Sequence, residues 1–145
     1  MRRAVTCNLI LSVGFLWGCS GPARPTTLPS PHHGGNLIEL SDSRGFVELK
    51  TERGLLSKTA GKSANQSRIV AYFYGSDATT VMSPVPTGVK VTIGPVGTGT
   101  VVDLAIQPKG PDEFASEPGI YPDELRGQIE FQLDGKPIQA AFSFR

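Results

Sequence analysis

The sequence predicts an all-β protein, a single sandwich of about seven short strands, and three observations lead there. Apolar residues recur with period two, not 3.6, over much of 36–145. Seventeen glycines and twelve prolines in 145 residues interrupt the chain too often for long helices. The stretch FQLDGKPI places a two-residue turn signal between alternating apolar runs, the strongest short-range mark of a β-hairpin. With 39% hydrophobic residues, a chain of this length has material for one core and not for two.

The first element, residues 1–18, reads as a targeting segment. Arg2 and Arg3 supply positive charge, LILSVGFLW supplies an apolar run, and small residues follow around Cys19. The run is less than half of the ~20 apolar residues that a bilayer-spanning helix needs. The junction Leu16-Trp17-Gly18-Cys19 resembles the lipobox of bacterial lipoproteins, with Trp17 standing where a small residue is usual. That resemblance implies cleavage before Cys19 and acylation of its thiol. Cys7 lies inside the segment to be removed, so Cys19 is the one thiol left and no intramolecular disulfide can form. Two or more acyl chains, at ~0.8 kcal/mol per buried CH₂, hold a protein on a membrane where one would not.

Residues 19–35 are expected to be the acylated cysteine and a tether. SGPARPTTLPSP carries four prolines in twelve residues, which favours a semi-rigid spacer of ~3.1 Å per residue, ~40 Å in all. The two histidines of the chain, His32 and His33, close this spacer and are read first as its last links. The rival reading makes them weak ligands for copper or zinc. Adjacent residues in an extended chain point opposite ways, so at most one of the pair can serve a given site.

The domain proper is expected over 36–145. Half-buried strands are predicted where Val89, Val91 and Ile93 alternate with Lys90 and Thr92, where Val102, Leu104 and Ile106 alternate with Asp103 and Ala105, and where Ile129, Phe131 and Leu133 alternate with Glu130 and Gln132. Shorter strands are predicted at 37–40, 46–51, 69–74 and 137–144. IVAYFY, apolar on both faces, is the candidate central strand. Closing the last hairpin at Asp134-Gly135 sets Phe131 opposite Ile138 and Ile129 opposite Ala140, and it puts Pro137 where its missing N–H faces away from the partner, at a sheet edge.

Motifs that carry chemistry are few. GLLSKTAGKS at 54–63 has six residues between its glycines where a phosphate-binding P-loop has four, and a strand follows it where that loop has a helix. GPVGTGT at 94–100 lacks the third glycine of a dinucleotide fingerprint and sits between two strands, so it reads as a hairpin loop. PDEFASEPGIYPDEL collects Asp112, Glu113, Glu117, Asp123 and Glu124 without the D-x-D-x-D-G order of a calcium loop, and it reads as a solvated acidic loop. A histidine catalyst needs a rigid neighbour and a nucleophile, which a proline-rich spacer does not provide. No catalytic residue and no cofactor is assigned.

From HHGG through NLIEL, GFVEL and IVAYFY to the DGKP hairpin, residues 32–145 resemble small exported β-sandwich lipoproteins of planctomycete bacteria, whose relatives carry longer histidine tracts. Similar HGG-plus-strand openings occur in metal-efflux adaptor proteins. GQIEFQLDGKPIQAAFSF is also similar to the opening of carboxypeptidase-regulatory-like sandwiches, although Gly127 lies two residues too far from Asp134. These resemblances imply an immunoglobulin-like or transthyretin-like sandwich and bring no catalytic residue.

Charge adds an exclusion. Without residues 1–18 the chain has twelve Lys/Arg against its thirteen Asp/Glu, which is not the basic excess of a nucleic-acid binder. The expected protein is a non-enzymatic binding or structural domain, held by lipid on the periplasmic side of a bacterial envelope membrane. The outer membrane is expected because Ser20, not Asp, follows the cysteine. Its partners would be that membrane and an envelope protein. Metal capture by His32 or His33 is the alternative.

Overall fold

The computed structural model describes residues 29–53, 66–95, 97–108, 110–122 and 124–144. Residues 1–28, with Cys7, the lipobox-like junction and Cys19, and the P-loop-like stretch at 54–63 lie outside the described residues.

Two antiparallel sheets face each other across one core. The first contains β1 (Asn36–Glu39), β2 (Phe46–Arg53), β3 (Ser67–Tyr74), β6 (Ala105–Gln107) and β7 (Gly110–Ala115), in the order β1-β2-β3-β7-β6. The second contains β4 (Thr87–Ile93), β5 (Thr100–Asp103), β8 (Leu125–Leu133) and β9 (Lys136–Phe144), in the order β5-β4-β8-β9. The all-β sandwich is as expected, and IVAYFY is the middle strand of its sheet.

Period-two alternation explains the inner faces. Val47, Leu49, Ile69, Ala71 and Phe73 point inward from the first sheet and meet Val89, Val91, Ile129, Phe131 and Phe142 from the second. Phe73 ties the layers together: its ring stands edge-on to Phe114 of its own sheet at 5.2 Å and to Phe131 of the other at 4.9 Å. Edge-on aromatic pairs add ~0.5–1.5 kcal/mol each to what burial supplies. Lys90, Thr92, Gln128, Glu130 and Gln139 alternate outward, and the second sheet turns a polar face to solvent.

The last hairpin has the expected register. Phe131 pairs with Ile138, Ile129 with Ala140 and Gln132 with Pro137, and β9 is the edge of its sheet. Asp134 and Gly135 both have positive φ, 53° and 70°, as a type I′ turn requires. The segment 94–99 joins β4 to β5 as the predicted hairpin loop, with Gly99 N–H donating to the Pro95 carbonyl at 2.8 Å.

Two expectations are corrected. There are nine strands among the described residues, not seven, and one of the extra two comes from the alternation at 101–106, which is not a single strand. β5 pairs with β4 in the second sheet, and β6 pairs with β7 in the first. Between them Leu104 is buried, and its N–H donates to the Val89 carbonyl at 2.9 Å. The chain changes sheets there while keeping Leu104 inward, which is how sandwich corners are turned. The other extra strand is β7, which occupies the start of the stretch read as an acidic loop. Phe114 enters the core and Glu113 points outward beside Arg68, so the carboxylates are divided between a strand and the loop after it.

On the opposite side the sandwich stays open. The free edges of β1 and β9 flank a groove of about 370 Å³, lined by β1 and the last four residues of β9.

Gly135→Val should destabilise the domain by more than ~1 kcal/mol, because a β-branched residue tolerates positive φ poorly, while Lys136→Ala should change little. Phe73→Ala should cost ~3–5 kcal/mol, since both sheets lose their shared ring. Denaturant midpoints of the three variants check this, and equal shifts for the two turn variants would contradict the assigned turn.

Candidate functional site

The outer face of the first sheet carries the best-defined polar constellation among the described residues. Alternation sends Phe46, Glu48, Lys50 and Glu52 of β2 to this face together with Arg68, Val70, Tyr72 and Tyr74 of β3. Its centre is apolar: Val70, Tyr72, Tyr74 and Ala115 form a second buried cluster with Leu37 and Phe46 against it. Glu48 lies in this cluster and is 0% exposed.

A carboxylate there must find donors, because an unpaired buried charge costs several kcal/mol. Backbone N–H groups from just upstream of β1 supply them. Gly35 and His33 donate to Oε1 at 2.8 Å each, and His32 donates to Oε2 at 2.9 Å. The Tyr74 hydroxyl donates to Oε2 at 3.3 Å. Gly34, at φ 72°, supplies the left-handed turn that lets the N–H groups on either side of it reach one carboxylate, as in an anion nest. Gly35 has no room for a side chain, since a Cβ would sit 2.8 Å from the Leu49 carbonyl oxygen. The two glycines therefore let the chain lie directly on β2.

The histidine rings continue this seat onto β3. His33 stacks on Tyr72 with centroids 3.8 Å apart and planes within 9°, and His32 rests against Tyr74 at 5.3 Å. His32 Nε2 bonds the Ala78 carbonyl at 2.9 Å, so that nitrogen carries a proton. Ala78 is held in turn by the turn after β3, where Asp77 Oδ1 accepts from the Thr79 and Thr80 N–H groups and the Thr80 hydroxyl. Residues 32–35 form a strap from β1 across β2 to β3. Through these contacts residues 32–35 pack on the sheet.

Burial by itself would raise the Glu48 carboxyl. The N–H groups of Gly35, His33 and His32, with the His33 charge, outweigh it and bring the group below its ordinary value. Tyr74 is pushed well above the usual phenol range by burial and by the Glu48 charge. Glu48 therefore stays ionised and Tyr74 stays a hydroxyl donor, which keeps the hydrogen bond between them.

Beside the clasp runs an ionic row. Arg68 donates from Nε and Nη2 to Glu52 Oε2 at 2.9 and 2.8 Å and reaches Glu113 Oε1 at 3.2 Å, joining β2, β3 and β7. Lys50 pairs with Glu52 at 2.9 Å and lies 5.3 Å from the Tyr72 ring centre. Burial would raise Glu52, but Lys50 and Arg68 hold it down.

Among the described residues no three His, Cys, Asp or Glu side chains converge as a metal site. His32 and His33 put their rings on different tyrosines, and His32 has only Nδ1 left to offer. Of the acidic residues singled out, Glu113 joins the ionic row, Asp112 precedes it on β7 and Glu117 follows the strand; Asp123 lies outside the described residues. Glu48 was not singled out by sequence reasoning. An acid in GFVELK is ordinary for a strand, and the Gly34-Gly35 pair upstream is the one trace of the seat in the sequence.

No protein-family model, no curated protein and no solved structure matches this chain. Function is therefore read from the chain's own residues.

Glu48→Gln should destabilise the domain by ~1–3 kcal/mol, since hydrogen bonds to a charged group are worth ~1.5–3 kcal/mol and the amide turns one donor toward other donors. The folded-state pKa of Glu48 lies below its unfolded value. Its contribution is therefore full above pH ~4.3 and is lost as pH falls through the folded value. Acid titrations of stability should show a shallower loss for Glu48→Gln than for wild type. A variant beginning at Asn36 should be destabilised at least as much as Glu48→Gln, and stability equal to wild type would remove the strap from the folded unit.

Proposed function

We propose that the protein is a lipid-anchored component of a bacterial envelope, acylated at Cys19, that displays a non-enzymatic binding or assembly domain on the periplasmic side, on the outer membrane because Ser20 follows Cys19. The observation that carries this reading is Cys19 itself, a single mature thiol directly after a charged, apolar and small-residue series. The proline-rich segment after it spaces the domain from the bilayer. The strap supports the reading, because it gives the spacer a defined seat on the sheet where a free-ended domain has no need of one. Among the described residues no helix is long and apolar enough to cross a membrane.

Wild type should incorporate a fatty-acid analogue and fractionate with membranes. Cys19→Ala should lose the label and become soluble, or remain attached only as uncleaved precursor. Trp17→Ala should process at least as fast as wild type. Mature wild-type protein that starts beyond Cys19 and carries no lipid would overturn the anchor.

A further inference from the structure

We propose that the strap at residues 32–35 is a strain-relief clasp, which takes tension arriving along the spacer off edge strand β1 and delivers it to β2 and β3 in the middle of the sheet. The proposal rests on the lipid-anchor reading together with its envelope partner, since a chain held by lipid at one end and by a bound partner at the other is the one that carries such tension.

The sheet is entered at its weakest place. β1 has four residues and pairs with β2 alone. A pull on Asn36 would open the β1–β2 ladder from one end, and bonds that break in sequence resist far less than bonds loaded together. Upstream of Asn36 the chain does not run straight to solvent. It crosses β2 with three N–H groups on the two oxygens of one carboxylate and reaches β3, which is paired on both sides. His32 is held at a second point by the Ala78 carbonyl, and the His33–Tyr72 stack covers the crossing. Tension along the spacer meets these contacts before it meets β1. The three donors lie within four residues on one carboxylate, so the load is carried at the face of β2 before it reaches β1.

The test is force spectroscopy on the full chain carrying Cys7→Ser and Lys136→Cys, with handles on Cys19 and on the introduced thiol, which lies at the β8–β9 turn and loads two strands at once. With the clasp intact, the chain should extend in its main unfolding event with no earlier step. Glu48→Gln should add an early step whose length matches release of residues 32–45, and the release rate at fixed load should rise about tenfold or more, the kinetic equivalent of one charged hydrogen bond. If Glu48→Gln does not fold, His32→Ala with His33→Ala keeps the backbone donors and removes the rings, and it should show the same early step at a lower rate. Val91→Ala, which weakens the core away from the strap, should lower the main force without adding the step. An early step in the unmodified strap, or its absence from both strap variants, overturns the clasp. Lipid labelling of Cys19 is read separately, so loss of the anchor reading and loss of the clasp are distinguishable.

Discussion

A carboxylate buried on the outer face of a sheet is the constraint from which the N-terminal architecture follows. Glu48 sits between apolar Phe46 and the two tyrosines of β3, where charge is costly unless it is saturated with donors. A lysine or arginine could have neutralised it, as Arg68 does for Glu52 four residues along the same strand. The protein uses main-chain N–H groups instead, which bring the upstream chain onto the sheet. Neutralising Glu52 holds three strands together, whereas saturating Glu48 also decides where the polypeptide enters the fold. The difference is which atoms donate.

The donors also explain why the aromatic strand is apolar on both faces. β3 buries Ile69, Ala71 and Phe73 against the second sheet, and its other face is normally the place for polar side chains. Tyr72 and Tyr74 occupy it under the two histidines of the strap, and Val70 is buried with them beside Ala115. Burial by a strap of four residues is thin. The tyrosines keep a polar rim, with the Tyr74 hydroxyl on Glu48 and the Tyr72 ring beside Lys50. A chain of this size gains a second small apolar cluster in this way, and with it a layer that spans β2 and β3 independently of the core.

How much of this was legible in the sequence depends on which physical signal each part leaves. β4, β8 and β9 were legible because one face is buried and the other wet, and the Asp134-Gly135 turn fixed the pairing of β8 with β9 to the residue. β7 was not, since Phe114 is its one large core residue and Asp112 and Glu113 read as loop; its strand character comes from pairing with β3 and β6. The split at Leu104 was hidden because Val102, Leu104 and Ile106 alternate in sequence across the break, although only Leu104 is buried and Ile106 is 52% exposed. The clasp was least legible of all. Its donors are backbone groups that every residue has, its acceptor is one acid in an ordinary strand, and the proline-rich stretch before it made the histidines look like spacer. Only Gly34-Gly35 left a trace, and glycine pairs have many uses.

The two sides of the sandwich end differently, and this bears on why a clasp is useful here. On one side the covalent passage through Leu104 ties β5 to β6 and closes the sheets. On the other, β1 and β9 face each other across a groove with their edges unpaired. β9 is guarded at its start by Lys136 and Pro137, a usual protection for an edge. β1 is protected by its brevity and by Glu39, and brevity makes it easy to detach. Lengthening β1 would strengthen its attachment but expose more edge to unwanted pairing. Fastening the segment before β1 to the face of the sheet avoids that trade, because the added bonds run to a side-chain carboxylate and leave no new edge. A short edge strand and a buried acid, each a liability alone, compensate one another through four residues of strap.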